Sequence, residues 1–198
     1  MPIFGLALSN GAPFTLIGND GGLLASAVQA SQIDLAPGER LDLPVDFRSL
    51  PVGTQIMFRD LRAGWDLLKF RVTRQVSVPA TIPTTLSTIT NVANPVRARD
   101  FSFDGMSKIN GLEYDLNRVD FQVPSGTPTC GASAPAGTPH PVHIHGASFQ
   151  VVSRTGGRGR LFPWEAGWKD TVLLEDRETV EILIRFGAYL DSAGEFVN

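Results

Sequence analysis

The sequence predicts an all-β protein, a sandwich or a barrel of short strands. Three observations lead there. Apolar residues come in short runs that often alternate with polar ones, the period of a strand with one buried face. Turn formers are abundant, with 20 glycines and 14 prolines among 198 residues, and they are scattered, so that they punctuate many short elements. Helical periodicity is nearly absent, and only the stretch from Pro83 to Ile89 is expected to hold a turn of helix.

The elements follow in order. Ile33-Asp34-Leu35 reads as a strand that stops at the turn Ala36-Pro37-Gly38-Glu39. Leu41 to Phe47 alternates apolar and polar residues as a half-buried strand, and Pro44 puts it near an edge or a bulge because proline has no N–H to give the ladder. Gln55 to Phe58 and Leu67 to Val72 are further strands. Phe101-Ser102-Phe103 and Val119 to Val123 alternate in the same way. Thr179 to Phe186 carries the strongest pattern, with Val180, Ile182, Ile184 and Phe186 on one face. Ser125 to Gly137 has the small, polar composition of a loop.

A boundary is expected between these groups. Pro79 to Thr85 is rich in proline and threonine, and Asn94-Pro95 follows, which suits an exposed linker. The chain is therefore divided into 1–80, a linker at 81–96, and 97–198. Each part is large enough for a small sandwich with little surplus core.

Composition excludes several classes. Lys and Arg total 17 against 20 for Asp and Glu, a net charge of -3, so no nucleic-acid or anionic-membrane partner is expected. No apolar run reaches the roughly 18 residues of a membrane helix. Met1-Pro2-Ile3-Phe4 opens no basic-then-apolar leader, so no signal peptide is expected. The single cysteine, Cys130, excludes an intrachain disulfide and a multi-thiolate zinc site, and it reads as a loop thiol.

All three histidines fall within His140-Pro141-Val142-His143-Ile144-His145-Gly146. Imidazole is the commonest ligand for transition metals. In an extended segment His143 and His145 share a face, roughly 6.7 Å apart along the strand, and can converge on one metal or hold two neighbours. His140 has the opposite parity and looks elsewhere. The plain alternative is a strand with three histidines of no special role. Other His-x-His chemistries lack their partners: Phe149 stands where a cupin needs an acid, no distant fourth histidine exists for an amidohydrolase, and no Gly-x-Ser-x-Gly elbow occurs. Gly156-Gly157-Arg158-Gly159 lacks the Lys-Ser/Thr ending of a phosphate loop and reads as a turn.

The run from His140 to Val151 resembles the His-Pro-x-His-x-His-Gly motif of the multicopper oxidases, the family of laccases, bilirubin oxidases and spore-coat-type laccases. Gly167 to Val172 and the strand Thr179 to Phe186 resemble that family's last cupredoxin domain. Leu6 to Gly11, Ile17 to Gly22 and Gln32 to Arg40 resemble its middle one. The resemblance implies a cupredoxin-like Greek-key β-sandwich fold in two truncated domains. It also implies copper as the cofactor, with zinc or another divalent metal as an alternative occupant. By position in the motif, His140 is implied as a type 1 copper ligand, His143 as a type 2 ligand and His145 as a type 3 ligand.

Departures from the family pattern shape the functional expectation. The first domain and the His-Cys-His segment are absent from the 198 residues, and Cys130 has no flanking histidine. Three histidines cannot close the shells of four coppers, so full four-electron reduction of dioxygen is not expected from the chain in isolation. A core strand before the His motif is expected to be missing or altered. Three functions remain: a laccase-like oxidoreductase fragment acting on phenolic or similar small-molecule donors, a non-catalytic metal-binding cupredoxin-like fragment, and a recruited metal-assisted hydrolase. Raw sandwich edges make a homo-oligomer plausible. Family members are often periplasmic or secreted, and the chain itself names no compartment. Phe162, Trp164 and Trp168 are expected in core packing, with a substrate surface as the alternative. Asp170 is either a support for a metal-bound histidine or a partner in a strand-end ion pair or turn hydrogen bond. Arg154, Arg158 and Arg160 read as a solvated basic turn.

Overall fold

The computed structural model describes residues 3–76, 81–92, 97–105, 107–126, 128–133 and 139–187, with the backbone alone over 128–133. Residues 93–96 of the expected linker, the side chain of Cys130 and the segment 194–198 lie outside the described residues.

The first half holds seven strands: β1 (Phe4–Leu8), β2 (Phe14–Asn19), β3 (Gly22–Ala30), β4 (Ile33–Leu35), β5 (Leu41–Asp42), β6 (Gln55–Asp60) and β7 (Trp65–Arg71). They form a sheet of order β4-β1-β6-β7 and a sheet of order β3-β2-β5. Leu6, Leu8, Ile33 and Ile56 from the first sheet meet Phe14, Leu16 and Leu24 from β2 and β3 of the second in one buried cluster. This is a sandwich, made because alternate residues of each strand can bury only against a second sheet.

The second half adds β8 (Arg97–Ala98), β9 (Phe103–Asp104), β10 (Lys108–Ile109), β11 (Leu112–Glu113), β12 (Pro128–Ser133), β13 (His140–His143), β14 (Phe149–Gly156), β15 (Thr171–Leu174) and β16 (Glu178–Arg185). β14-β16-β12-β8 is one sheet, β13-β15 a second, and β11-β10-β9 a small third. Phe149, Val180, Ile182 and Ile184 face Val142, Val172 and Leu174 across the second core. The alternation expected of Thr179 to Phe186 holds: Val180, Ile182 and Ile184 are buried while Thr179 and Glu181 are exposed.

Several elements differ from expectation. Leu41 to Phe47 pairs only over β5, since Pro44 breaks the ladder, yet Leu43, Val45 and Phe47 still pack on the first core. Val119 to Val123 forms no strand and leaves Val119 exposed, while Phe121 rests on Phe101 and beneath Arg99. No helical turn occurs over 83–89; the one short helix among the described residues is a 3-10 turn at Pro163–Glu165. The strand expected to be missing or altered is present as β12, running antiparallel to β16 and parallel to β8, with a bulge between Cys130 and Ala132. Backbone pairing on both sides suffices to hold it, and its small, polar side chains give no periodic signal.

The halves are joined through β15, whose residues are all buried. Val172 and Leu174 face the second core. Leu173 turns the other way and packs with Ile3 and Ala36. Segment 81–92 also ties both halves: Leu86 N–H donates to Ala25 O at 2.9 Å, and Val92 N–H donates to Gln150 Oε1 at 2.8 Å.

Candidate metal centre

The register of β13 on β15 builds the site. His143 lies directly opposite Thr171, and His140 opposite Leu174. Directly opposed residues of an antiparallel pair share a face. His143 and Thr171 therefore point toward the first half, while His140, Val142 and Leu174 point to the second core. Glycine then ends the segment: Gly146 has φ +75°, a left-handed turn conformation that glycine adopts without strain.

The three imidazoles divide accordingly. The His143 and His145 rings meet edge to face, with centroids 4.9 Å apart, and both residues are exposed. His140 is half-buried and stacks on Phe103 at 5.4 Å. A cavity of about 300 Å³ opens beside it, lined by Phe103, Lys108, His140, Pro141 and His143. A larger cavity of about 710 Å³ lies against Pro44, Phe47 and Val72 in the first half and includes no histidine. Volume alone is thus a poor guide to the chemistry here.

Hydrogen bonds define which nitrogen of His143 is available. Its Nδ1 lies 3.0 Å from the Asp170 carbonyl oxygen and 3.0 Å from Thr171 Oγ1. A carbonyl only accepts. The Thr171 hydroxyl donates its own proton to Asp170 Oδ1 at 2.8 Å, so toward His143 it also accepts. Both neighbours therefore require the proton on Nδ1, which leaves the Nε2 lone pair outward. A metal-binding imidazole needs this kind of support.

Around this pair stands a charged cluster drawn from both halves. Arg40 grips both Asp170 oxygens, Nη1 to Oδ1 at 2.6 Å and Nη2 to Oδ2 at 2.5 Å. Those hydrogen bonds are the main reason the Asp170 carboxyl is lowered to about 2. Buried Lys169 reaches Asp20 Oδ2 at 2.9 Å and Glu39 Oε1 at 3.4 Å. Burial pushes the Glu39 carboxyl up from its ordinary value, against the pull of Lys169.

Other sequence expectations meet the structure here. Asp170 pairs with Arg40 through its carboxylate, as the ion-pair alternative expects, and its backbone carbonyl lies against His143 Nδ1. Trp164 packs on the first core and stacks with Phe162 at 4.9 Å, and its carbonyl accepts from Asn19 Nδ2 at 3.0 Å. Arg154 is no solvated turn residue: it is buried against Glu165 and Glu178. The Gly156 to Gly159 run is a turn, with positive φ at Gly156, Gly157 and Gly159. Arg40, Asp20 and Thr171 were not singled out by the sequence. Asp170-Thr171 sits in a segment that did draw notice, but nothing local to Arg40 points to a partner 130 residues away.

A family model described as multicopper oxidase matches residues 81–197. The chain belongs to the multicopper oxidase family. It is 34% identical to the cell division protein FtsP of Dickeya dadantii over 93% of this chain and 42% of that protein. It is 28% identical to a laccase of Bacillus subtilis over 94% of this chain and 43% of the laccase. The crystal structure of a laccase from Pediococcus acidilactici superposes with a TM-score of 0.84 at 30% identity, covering 93% of this chain and 41% of that one. The chain thus spans about two fifths of the length of these relatives, and its all-β fold is cupredoxin-like as the resemblance implied.

Copper is the metal this family implies, and the residues fit it in part. His143 and His145 offer two neighbouring imidazoles, one with its tautomer fixed, a donor set that suits copper. Among the described residues no group of three or more His, Cys, Asp or Glu comes together as a complete metal shell. Two imidazoles make half a site.

Proposed function

We propose that this chain contributes to the copper centres of a laccase-type oxidoreductase acting on phenolic or similar small electron donors. In this reading His143 and His145 serve one shared centre and His140 a separate one. The observation that carries it is the bonding of His143 Nδ1 to two acceptors, which turns Nε2 outward beside the ring of His145. Bound copper supplies one-electron acceptance from the donor. The chain's own residues do the rest: Thr171 and Asp170 orient His143, Phe103 fixes the plane of His140, and the cavity beside His140 has room for a small molecule. Two converging imidazoles are too few for four coppers, so the complete reduction of dioxygen calls for further ligands.

The test is copper loading of the whole chain, desalting and elemental analysis, followed by oxidation of a phenolic donor. The parent is expected to retain copper and to oxidise the donor faster than free copper does. His143→Ala/His145→Ala is expected to lose both properties. Equal copper and equal rates in parent and variant overturn the reading.

A second reading rests on the FtsP relatives, named as cell division proteins, and on the incomplete metal shell among the described residues. In it the chain is a non-catalytic cupredoxin-like scaffold. It is distinguished by a parent that gives no turnover above free copper, whether or not metal is retained.

A further inference from the structure

Arg40 sits in the turn after β4, far from the histidines in sequence, yet it is wired to them. Its guanidinium is held in place before it reaches Asp170. Nη1 donates to Gly38 O at 2.8 Å, Nη2 to Asp20 O at 3.0 Å, and the backbone N–H of Arg40 to Asp20 Oδ1 at 2.7 Å. Lys169 secures the other Asp20 oxygen at 2.9 Å, and Thr171 N–H donates to that same oxygen at 3.3 Å. The first half therefore presents a fixed two-pronged donor to Asp170 and also anchors the backbone of Thr171.

This grip has little to do with stability. The Arg40 side chain is 51% exposed and that of Asp170 25%, and exposed ion pairs contribute little to stability. What the grip does determine is direction. With both oxygens fixed by a planar fork, Oδ1 stays where the Thr171 hydroxyl must donate to it. A hydroxyl so committed can only accept from His143 Nδ1. Once the carboxylate turns away, the hydroxyl is free to rotate and donate to Nδ1; only the Asp170 carbonyl then holds the proton on Nδ1, and the Nε2–H form, which blocks a metal, gains population.

We propose that Arg40 is a positioning residue for His143: through Asp170 and the Thr171 hydroxyl it holds the imidazole in its Nδ1–H form, so that the first half of the chain controls the metal-ready state of a histidine in the second. This deepens the copper reading above and rests on it for its purpose, but its test needs no copper.

Long-range ¹⁵N–¹H spectra of metal-free protein, recorded well above the ordinary imidazole pKa, report the tautomer of each of the three histidines. The parent is expected to show His143 as Nδ1–H. Arg40→Ala is expected to raise the Nε2–H form of His143 several-fold. Arg40→Lys, which keeps the charge without the fork, is expected to restore only part of the parent pattern. Arg48→Ala, whose arginine pairs with exposed Asp46, is expected to change nothing. In a Thr171→Val background, where no hydroxyl can turn, Arg40→Ala is expected to leave His143 as Nδ1–H. An unchanged tautomer in Arg40→Ala overturns the proposal, and so does an equal shift in both backgrounds. If Arg40→Ala disturbs the amide spectrum as a whole, Arg40→Lys decides alone, and a parent-like His143 in that variant counts against the fork. Failure of the parent to keep copper, with these spectra as expected, sinks the copper reading and leaves the tautomer control standing.

Discussion

The guanidinium of Arg154 and the carboxylate of Glu178 meet at 2.7 Å with both side chains closed off from solvent. Arg154 also donates from Nε to Glu165 Oε2 at 3.0 Å and from Nη1 to Leu173 O at 2.9 Å. Arg158 brings a second cation to Glu178 at 3.0 Å. Every buried charge here has a partner. Arg154→Ala leaves Glu165 without its ion pair and weakens the hold on Glu178, and breaking a buried pair typically costs about 3–5 kcal/mol. Urea denaturation is expected to show a loss of that size. Adding Glu165→Gln to Arg154→Met is expected to recover much of it, because Glu178 keeps Arg158 as its partner and no buried charge is left stranded. A loss under about 1 kcal/mol in Arg154→Ala, the scale of an exposed pair, contradicts this account.

Stability is expected to depend on pH through two glutamates with opposite signs. Burial pulls the Glu178 carboxyl up, but hydrogen bonds from Arg158 and from the Glu175 N–H, with the charges of Arg154 and Arg158, hold it below its ordinary value. Its contribution is present above the unfolded glutamate pKa of about 4.3 and is lost as pH falls through the lowered folded value. Burial leaves Glu39 raised. Its contribution is full below the unfolded value and is lost as pH rises through the folded one. Denaturation across a pH series is expected to show a flatter acid limb in Glu178→Gln and a smaller loss on the rising side in Glu39→Gln. Variants that track the parent at every pH refute the assignment.

At Gly21 the two halves meet backbone to backbone. Its N–H donates to Trp168 O at 2.8 Å. A Cβ added there lands 2.5 Å from Trp168 Cβ and closer still to the Trp168 carbonyl oxygen. Backbone cannot yield as a long side chain can, so Gly21→Ala is expected to cost about 1–3 kcal/mol, as overpacking does. The displaced residues adjoin Lys169 and Asp170, so copper retention is expected to fall as well. Gly187→Ala, with open space around it, serves as the control and is expected to stay within about 0.5 kcal/mol of the parent. Equal stability of the two alanine variants would count against a tight junction at Gly21.

What the sequence could convey here was local. β16 was legible because its buried residues keep a period of two without interruption. β14 was not, because its register shifts between Val151 and Ser153. A bulge moves later residues to the opposite face, so Phe149 and Arg154 are both buried despite opposite parity. That shift is why a cluster of arginines at a hairpin read as solvated. The separation of His140 from His143 and His145 followed from strand parity. The hold on His143 did not, because Arg40 reaches Asp170 only through the packing of two halves, and no periodicity records such a contact.

The geometry also separates the histidines by experiment. His140 points to the second core and stacks on Phe103, while His143 and His145 meet on the other side of β13. A copper held by the pair does not depend on His140. After copper loading and desalting, His145→Ala is expected to lose the copper held by the pair, and His140→Ala to keep it with its electron paramagnetic resonance spectrum unchanged. Phe103→Leu removes the stacking partner and is expected to resemble His140→Ala in this respect. If His140→Ala abolishes the same signal as His145→Ala, the three imidazoles act on one centre and the parity of β13 has been misread. If the chain keeps copper equally without His143 and His145, the metal is bound elsewhere, and the His-x-His pair has no part in holding it.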